Sequence, residues 1–462
     1  MPKTNLKIEM DIELPGETSP VHVEFSGEDI IKADVTEEVD IVSLSLPASS
    51  FDFEVYTEDP RFELFEDAAF SSALSSYQKI KVSALSGDES DFVNYYYVQA
   101  RDVVSENIYK FKCTDIVGLM DIIQFDGMFF KDRTLLESAL VVVLFDTGID
   151  FVLDFPHNVY IRGWIAPGTL REAIHQIAFA VGGSVTNDEH GGIKISPSRI
   201  TGITEQPTYR IPKRIKIDRQ SVAREPSVSS VTVQSHEYVP EYVVGDPEEL
   251  FEDTLPMGYH EIYLPGPCHH VMVGFYSTPP GTNPENRVFL PVDQWGEVKI
   301  NHHTVEVDQK VECTVLITGH KWKTSSRSFK ATNEDYETIR IKNDVVIEGA
   351  TLLDKFSSGI VRDVMKIYYF DSVFIQTVEI IRRISPIDLN LGAEYGQKRY
   401  GSFRYIREGD AFGGIGSIRP NDSVDVQTIN GKTIRGIVEM MELDLVGGMI
   451  AKLRIRGYEL KE

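Results

Sequence analysis

Residues 167–195 read PGTLREAIHQIAFAVGGSVTNDEHGGIKI, and this stretch specifies its local structure more clearly than any other part of the chain. The spacing of its apolar residues predicts an amphipathic helix over Leu170–Val181. Thr169 and Glu172 form the T-x-x-E pattern of a capping box at the start of this helix. Gly182–Gly183 supplies the left-handed stop that ends many helices. The sequence that follows, SVTNDEHGGIKIS, predicts a β-hairpin.

The double glycine does not predict a phosphate-binding turn. Such a turn precedes a helix, because the free N–H groups and the positive dipole end of the helix face the anion. Gly182–Gly183 instead follows the predicted helix. His175 falls on the flank of the apolar face, and we interpret it as a boundary residue rather than a catalytic one. We therefore expect this helix to be scaffolding that packs on the adjacent hairpin.

The composition is that of an ordinary globular protein. A length of 462 residues predicts about three domains at roughly 150 residues each. No window reaches the ~18–20 consecutive apolar residues that a membrane helix needs. Residues 1–16 alternate apolar and polar side chains, which predicts a strand and neither a signal peptide nor a transit peptide. The apolar face of this strand comprises Leu6, Ile8, Met10, Ile12 and Leu14.

The chain is strongly acidic, with 71 acidic and 46 basic residues and a formal net charge of −25. Neutralising phosphates requires clustered Lys and Arg, so this charge argues against a surface that grips nucleic acid. Two interpretations stay open. The acidity favours solubility, or it keeps a surface from adsorbing nucleic acid.

The three cysteines, Cys113, Cys268 and Cys313, lie far apart and form neither a disulfide framework nor a zinc-binding spacing. Cys113 and Cys313 fall within alternating, strand-like runs, which predicts buried thiols in the reduced state. A reducing compartment of synthesis fits this pattern.

The patterning predicts a mainly β, α+β fold: two antiparallel β-domains of barrel or sandwich type, a small α/β insert and an additional helix. Four segments follow from it: an N-terminal β-domain (1–125), a small α/β domain (126–212), a β-domain with an irregular Pro/Gly-rich insert (213–345), and a helix with a C-terminal β-meander (346–462). The last two segments together can form one discontinuous domain.

Three further helices are predicted. Asp115 caps a short helix over Ile116–Ile123, and Thr134 with Glu137 forms a second capping box. Residues Gly349–Phe370 carry apolar side chains at helical spacing.

Two glycine signals divide the C-terminal meander. Asn430–Gly431 predicts a two-residue hairpin turn, and Gly447–Gly448 marks the next reversal. Residues 392–416 are rich in glycine, aromatic and basic residues, and we predict a long exposed loop there.

No pattern in the sequence predicts catalysis. His269–His270, after Cys268, and His302–His303 are adjacent pairs; adjacent strand residues face opposite sides, so neither pair is expected to chelate one ion. The H-E-x-x-H and G-x-S-x-G motifs are absent from the sequence, and none of the cysteines lies at a predicted helix start. Carboxylate pairs suited to glycoside hydrolysis stay open. We predict no catalytic, cofactor-binding or metal-binding residues, and no enzyme activity.

Taken together, the patterns resemble those of the baseplate hub proteins of bacteriophage tails, a family also found in contractile bacteriocins of Gram-positive bacteria. The resemblance extends over nearly the whole chain and is one of pattern rather than of invariant motifs. It rests on the segments SLSLPASSFDFEVYTEDPRF, YKFKCTDIVGLMD, GTLREAIHQIAFAVGGSV, SSVTVQSHEYVP, VLITGHKWKTSS, IVRDVMKIYY and IRPNDSVDVQTINGKTIRGIVEMMELDLVGGMIAKLRIRGY. Residues 392–416 fit the pattern poorly.

The resemblance implies two β-domains similar to the tail-tube fold in each subunit, and a homotrimer whose pseudo-sixfold ring continues the hexameric tube. It implies partners above and below the ring: the tail-tube or distal tail protein, the spike or fibre, and the tape-measure protein. DNA would meet the chain only in transit during ejection. The implied location is the tail tip or baseplate of a virion, where host attachment occurs, after synthesis in the host cytoplasm and without stable membrane insertion.

Three alternatives are weighed against the hub. A distal tail protein forms a hexameric adaptor ring with a similar β-fold, but usually from a smaller chain. A tail-associated cell-wall hydrolase would add an enzyme domain after the meander, and the sequence ends at residue 462. A receptor- or carbohydrate-binding module would use residues 264–291 and 392–416 as its candidate surfaces.

Overall fold

A 13-stranded sheet contains strands from both ends of the chain in the computed structural model, and the largest apolar core packs against it. The structure describes residues 5–14, 17–40, 46–63, 70, 74, 77–86, 89–155, 158–181, 183–188, 190–197, 207–211, 221–224, 227–228, 230–239, 246–301, 303–332, 339–344, 351–354, 358–359, 364–370, 375–381, 397–404, 418–427, 431–446 and 450–459.

The N-terminal strands, which we call the first block, bury one face, as their alternating sequence predicts. They are β1 (Asn5–Ile12), β2 (Val21–Ser26), β3 (Ile30–Glu38), β4 (Ser50–Tyr56), β5 (Lys79–Ser86), β6 (Glu89–Ser105) and β7 (Ile108–Thr114). In the sheet they lie in the order β3-β4-β7-β6-β5-β1-β2. The ring of Phe53 lies 5.0 Å from that of Phe51 and 4.6 Å from that of Phe111, at the centre of the core.

A small α/β unit with its own core follows the first block. Its elements are α1 (Ile116–Leu119), β8 (Gln124–Phe125), β9 (Met128–Leu135), α2 (Leu136–Val143), β10 (Phe151–Leu153), β11 (Tyr160–Ile165), β12 (Gly168–Thr169), α3 (Leu170–Val181), β13 (Gly183–Asn187) and β14 (Ile193–Pro197). Helix α3 has the predicted bounds, and its capping box is confirmed: Thr169 N donates to Glu172 Oε2 at 3.0 Å, and Glu172 N to Thr169 Oγ1 at 3.2 Å. The predicted hairpin is β13–β14.

Of the other two predicted helix starts, one is confirmed and one is wrong. Asp115 caps α1 as predicted, although the helix ends at Leu119 rather than at Ile123. The Thr134 cap is wrong, because Thr134 lies within β9 and pairs with Ile161 of β11. Helix α2 starts at Leu136, one residue later than a cap at Thr134 predicts, and the side chain of its N-cap, Leu135, makes no capping hydrogen bond.

Strands β15 (Tyr209–Ile211), β16 (Ser221–Arg224), β17 (Ser227–Val228) and β18 (Ser230–Val239) lead to a unit built from two three-stranded sheets, which we call the two-sheet unit. Its strands are β19 (Glu248–Leu255), β20 (Gly258–Tyr263), β21 (Cys268–Tyr276), β22 (Glu297–Ile300), β23 (Thr304–Gln309) and β24 (Cys313–Lys321). The sheets have the orders β19-β24-β21 and β20-β23-β22, and they enclose a third apolar core. The Pro/Gly-rich residues 264–291, predicted to be irregular, therefore include a nine-residue strand, β21.

The remaining strands are β25 (Lys323–Thr332), β26 (Ile339–Asp344), β27 (Thr351–Asp354), β28 (Ser358–Gly359), β29 (Val364–Phe370), β30 (Ile375–Ile381), β31 (Gln397–Arg404), β32 (Ser423–Gln427), β33 (Thr433–Asp444) and β34 (Ile450–Glu459). The predicted helix over Gly349–Phe370 is wrong, since its described residues lie in β27, β28 and β29. The β-branched and aromatic residues of MKIYYF favour a strand, and β29 pairs along its whole length with β30.

Two loop predictions in the C-terminal part also need correction. Residues 392–416 contain strand β31, which pairs with β34 and β16. The hairpin β32–β33 forms at the predicted place, but the pairing of Gln427 with Thr433 leaves a longer connection than a two-residue turn. Gly431 has the expected positive φ of 84°, whereas Asn430 and Gly447–Gly448 lie outside the described residues.

The mainly β fold predicted from the sequence is confirmed. Strands β31, β33 and β34, with β15, β16 and β32, form what we call the last block of the 13-stranded sheet. The four predicted segment boundaries stay predictions.

Candidate functional site

The first and last blocks meet edge to edge, at what we call the block junction. Strand β3 pairs antiparallel with β33, from Asp34 opposite Asp444 to Glu38 opposite Met440. Two more backbone hydrogen bonds extend the pairing: Val39 N donates to Glu439 O at 2.8 Å, and Leu445 N to Ala33 O at 2.9 Å. The junction thus makes one continuous sheet from two blocks that are distant in sequence.

A buried carboxylate, Glu37, lies at the block junction between two side chains of the first block and one from the C-terminal part of the chain. Asn94 Nδ2, on β6, donates to Glu37 Oε1 at 2.6 Å, and the Tyr96 hydroxyl lies 3.4 Å from the same oxygen. Arg419 Nε, from the C-terminal part of the chain, lies 3.9 Å from Glu37 Oε2. Burial, with Glu37 as a further cause, raises the pKa of Tyr96 well above its ordinary value. A buried carboxylate needs such partners, because its desolvation is costly.

Arg454 of β34 forms a second charged group at the block junction. It is ion-paired with Glu38, and its Nε lies 3.6 Å from Glu439 Oε2. The side chain of Glu439 is only 4% exposed and that of Arg454 is 17% exposed. This pair therefore lies in a poorly solvated environment, where losing one partner is costly.

The outer face of the same sheet carries a row of carboxylates, which we call the acidic row. Asp34 of β3 lies directly between Asp444 of β33 and Asp52 of β4. Lys112 of β7 is next in the row, and Lys32 Nζ lies 2.6 Å from Asp34 Oδ2. Like charges directly opposite each other on a sheet are destabilising. The direct pairing of the three carboxylates is therefore unfavourable, and the neighbouring Lys32 and Lys112 offset part of the repulsion.

Aromatic side chains connect the α/β unit to the two-sheet unit. Phe129 of β9 contacts Trp322 with ring centroids 5.0 Å apart, and Trp164 of β11 contacts His303 at 4.6 Å. The Tyr263 hydroxyl donates to Asp126 Oδ1 at 3.1 Å, while His303 Nε2 contacts the Asp126 carbonyl. His303, considered as a metal ligand from the sequence, is thus buried in this interface, and its neighbour His302 lies outside the described residues.

The expectation that His269 and His270 face opposite sides of their strand is wrong. The register of β21 against β24 shifts between His269 and Met272, and His270 has a φ of 51°. The two Nδ1 atoms lie 3.0 Å apart as a result. His320, directly opposite His269 on β24, stacks on its ring at 5.5 Å. We call these three residues the histidine cluster. No local sequence signal points to His320, because its pairing with His269 across two strands is not visible in the sequence.

The remaining candidate residues are His175 and the three cysteines. His175 is half-buried on α3. All three cysteines are buried and free, as predicted for Cys113 and Cys313, and burial raises the pKa of each thiol. A buried thiol that resists ionisation is a poor nucleophile.

One group of possible metal ligands on the first block was not expected from the sequence. Glu9 of β1 lies beside His22 and Glu24 of β2, close enough for their ligand atoms to share one ion. Each of these residues already has a partner: Lys81 is 3.3 Å from Glu9, Asp11 is 2.8 Å from His22, and Lys7 is 3.2 Å from Glu24. These contacts account for the group without a metal.

In the described part of the chain, the structure contains no helix that is long and apolar enough to cross a membrane.

Comparison with known proteins finds similarity at the level of solved structures. No family model matches the chain, and the search of curated proteins finds no match. A tail protein from Neisseria meningitidis is 10% identical over 97% of this chain and 96% of its own, with a TM-score of 0.42. The 43 kDa tail protein of prophage MuSo2 from Shewanella oneidensis is 8% identical over 98% of each chain, with a TM-score of 0.41.

A third solved structure comes from a secretion system. It is an E. coli protein described as a component of the type VI secretion system with structural similarity to the T4 bacteriophage tail proteins gp27 and gp5. It is 7% identical over 98% of this chain and 77% of its own, with a TM-score of 0.38. These three solved structures are thus described as a tail protein, a prophage tail protein and a component of the type VI secretion system.

Proposed function

We propose that this chain is a structural baseplate hub of a phage or phage-like tail, located at the tail tip of the virion. The block junction is the observation that carries the proposal. A chain with two β-blocks side by side in one continuous sheet supplies two neighbouring positions of a ring. Three copies then supply six positions, as needed to continue a hexameric tube.

The acidic row fits a surface that faces DNA in transit. Carboxylates repel phosphates, and the repulsion is strongest where walls of low dielectric constant exclude water. Asp34, Asp52 and Asp444 lie opposite each other across three strands, at a cost in stability. We propose that this face lines the conduit, where its charge keeps DNA from adsorbing during ejection.

The two-sheet unit is the candidate surface for the other tail components. Its exposed apolar side chains include Met257 and Val292, which are 70% and 72% exposed, and Phe289. Large apolar side chains that remain exposed are candidates for contact with another protein. We propose that the spike or fibre binds here. The ring formed by the two β-blocks then contacts the tail-tube or distal tail protein and the tape-measure protein. No step in this role requires an enzyme activity.

The test is the mass of the purified chain by light scattering, combined with negative-stain images. We expect a homotrimer with a central hole, alone or after addition of preformed tail-tube rings. A hexamer would instead indicate the distal tail protein, which forms a hexameric adaptor ring. A chain that stays monomeric alone and with tube rings contradicts the hub proposal.

A further inference from the structure

The histidine cluster exists because of a local backbone irregularity. A left-handed φ of 51° is rare for a residue with a side chain, and it occurs here at His270, within the shifted register of β21. Such conformations persist only where the surrounding structure enforces them, and they concentrate at ligand sites. The effect at this position is to bring two consecutive imidazoles to one side of the strand.

The arrangement of ring nitrogens suits one metal ion. A metal–nitrogen distance of about 2.0–2.1 Å with tetrahedral or octahedral angles places two ligand nitrogens about 2.9–3.4 Å apart. The Nδ1 atoms of His269 and His270 lie 3.0 Å apart. Without a metal, this distance is that of a hydrogen bond from a protonated to an unprotonated nitrogen. A metal ion would replace the shared proton.

His320 supplies the third imidazole. Its ring centroid lies 5.5 Å from that of His269 and 6.3 Å from that of His270, and binding of the same ion requires its side chain to rotate so that a ring nitrogen faces theirs. His270 is exposed whereas His269 and His320 are half-buried, which leaves an open approach from solvent. The nearby Cys268 thiol is buried and donates to Gly266 O at 3.3 Å, so we do not include it among the ligands.

We propose that His269, His270 and His320 bind one divalent transition-metal ion, with Zn²⁺ as the expected occupant and water completing its coordination. Three neutral imidazoles with an open position suit Zn²⁺, Co²⁺ and Ni²⁺ and disfavour Mg²⁺ and Ca²⁺, which prefer oxygen ligands. The bound ion joins the edge strand β21 to β24. Since the His269 ring also contacts Trp322 at 5.5 Å, the ion stiffens the interface at which Trp322 meets Phe129 of the α/β unit.

The experiment titrates the full chain, with any affinity tag removed, with ZnCl₂ by calorimetry and with CoCl₂ by visible absorption. We expect one ion per chain at the cluster, a Co²⁺ spectrum of nitrogen ligation, and a higher melting temperature with Zn²⁺. His270→Asn removes an imidazole while keeping a residue that tolerates positive φ, and His320→Gln removes another. Each is expected to weaken binding at least tenfold and to abolish the rise in melting temperature.

The matched control is His260→Gln, in the same two-sheet unit. His260 Nε2 contacts Pro256 O at 2.8 Å and lies outside the cluster, so Zn²⁺ binding should not change. His22→Gln tests the separate group on the first block in the same way. The proposal is overturned if the wild-type chain binds no Zn²⁺, or if both cluster variants, folded by circular dichroism, bind it as tightly as the wild type.

Discussion

Asp115 has a buried carboxylate at the start of helix α1. It is 1% exposed and accepts two backbone hydrogen bonds, from Gly118 N at 2.8 Å and from Ser49 N at 2.9 Å. These bonds connect the start of α1 to Ser49, the residue directly before β4. Burial nevertheless dominates, and it raises the pKa of Asp115 from 3.8 to about 6.

The raised pKa predicts an unusual pH dependence. Because the folded chain binds the Asp115 proton more tightly than the unfolded chain, the contribution of this group to stability is fully present below about pH 4 and is lost as the pH rises through about 6. Relative to Asp115→Asn, which does not titrate, the free energy of unfolding of the wild type should fall by on the order of 2 kcal/mol across this range. Urea unfolding of both proteins at several pH values measures it. Parallel pH profiles would show that the folded-state pKa is not raised.

At the scale of elements, the block junction depends on Arg454. Arg454→Met removes the ion pair between Arg454 and the buried carboxylate of Glu439, and we expect a loss of about 3–5 kcal/mol in the free energy of unfolding. Lys452→Met is the matched control on the same strand: Lys452 and Glu442 are 46% and 42% exposed, so their ion pair should contribute less than about 1 kcal/mol. Chemical denaturation compares the two variants. Equal losses would mean that burial does not decide the energetics of this junction.

Local signals predicted the elements that depend on neighbouring residues. The capping box of Thr169 and Glu172 and the alternation of β1 each specify their structure within a few positions, and both were found as predicted. The Gly349–Phe370 prediction failed because its apolar spacing fits a helix while its β-branched and aromatic residues favour strands, and pairing with β30 is not visible locally. The histidine cluster was missed for a related reason, since it depends on a shifted register and on one left-handed residue.

At the scale of the whole molecule, the acidic row should matter for transport rather than for folding. Asp34→Lys and Asp52→Lys replace two carboxylates of the acidic row by cations, which attract DNA; because the new cations lie beside Lys32 and Lys112, the exchange does not relieve repulsion within the sheet. We therefore expect virions carrying both substitutions to assemble but to eject their genome more slowly. Complementation of a hub-deficient phage, followed by time-resolved DNA release, measures this. Asp253→Lys, on an exposed position of β19, serves as the control, and unchanged ejection in the double variant would remove the acidic row from the conduit.

The block junction also has a consequence for synthesis. Glu38 and Arg454, which meet there, are 416 positions apart in the chain. At about 5–20 residues per second on the ribosome, strand β3 waits on the order of 20–80 s for β33 to emerge. During that interval β3 is an open edge of the first block, the kind of surface at which nascent chains pair with one another. The charged Lys32 and Asp34 lie on this strand, and charged side chains on an edge oppose such pairing until its partner arrives.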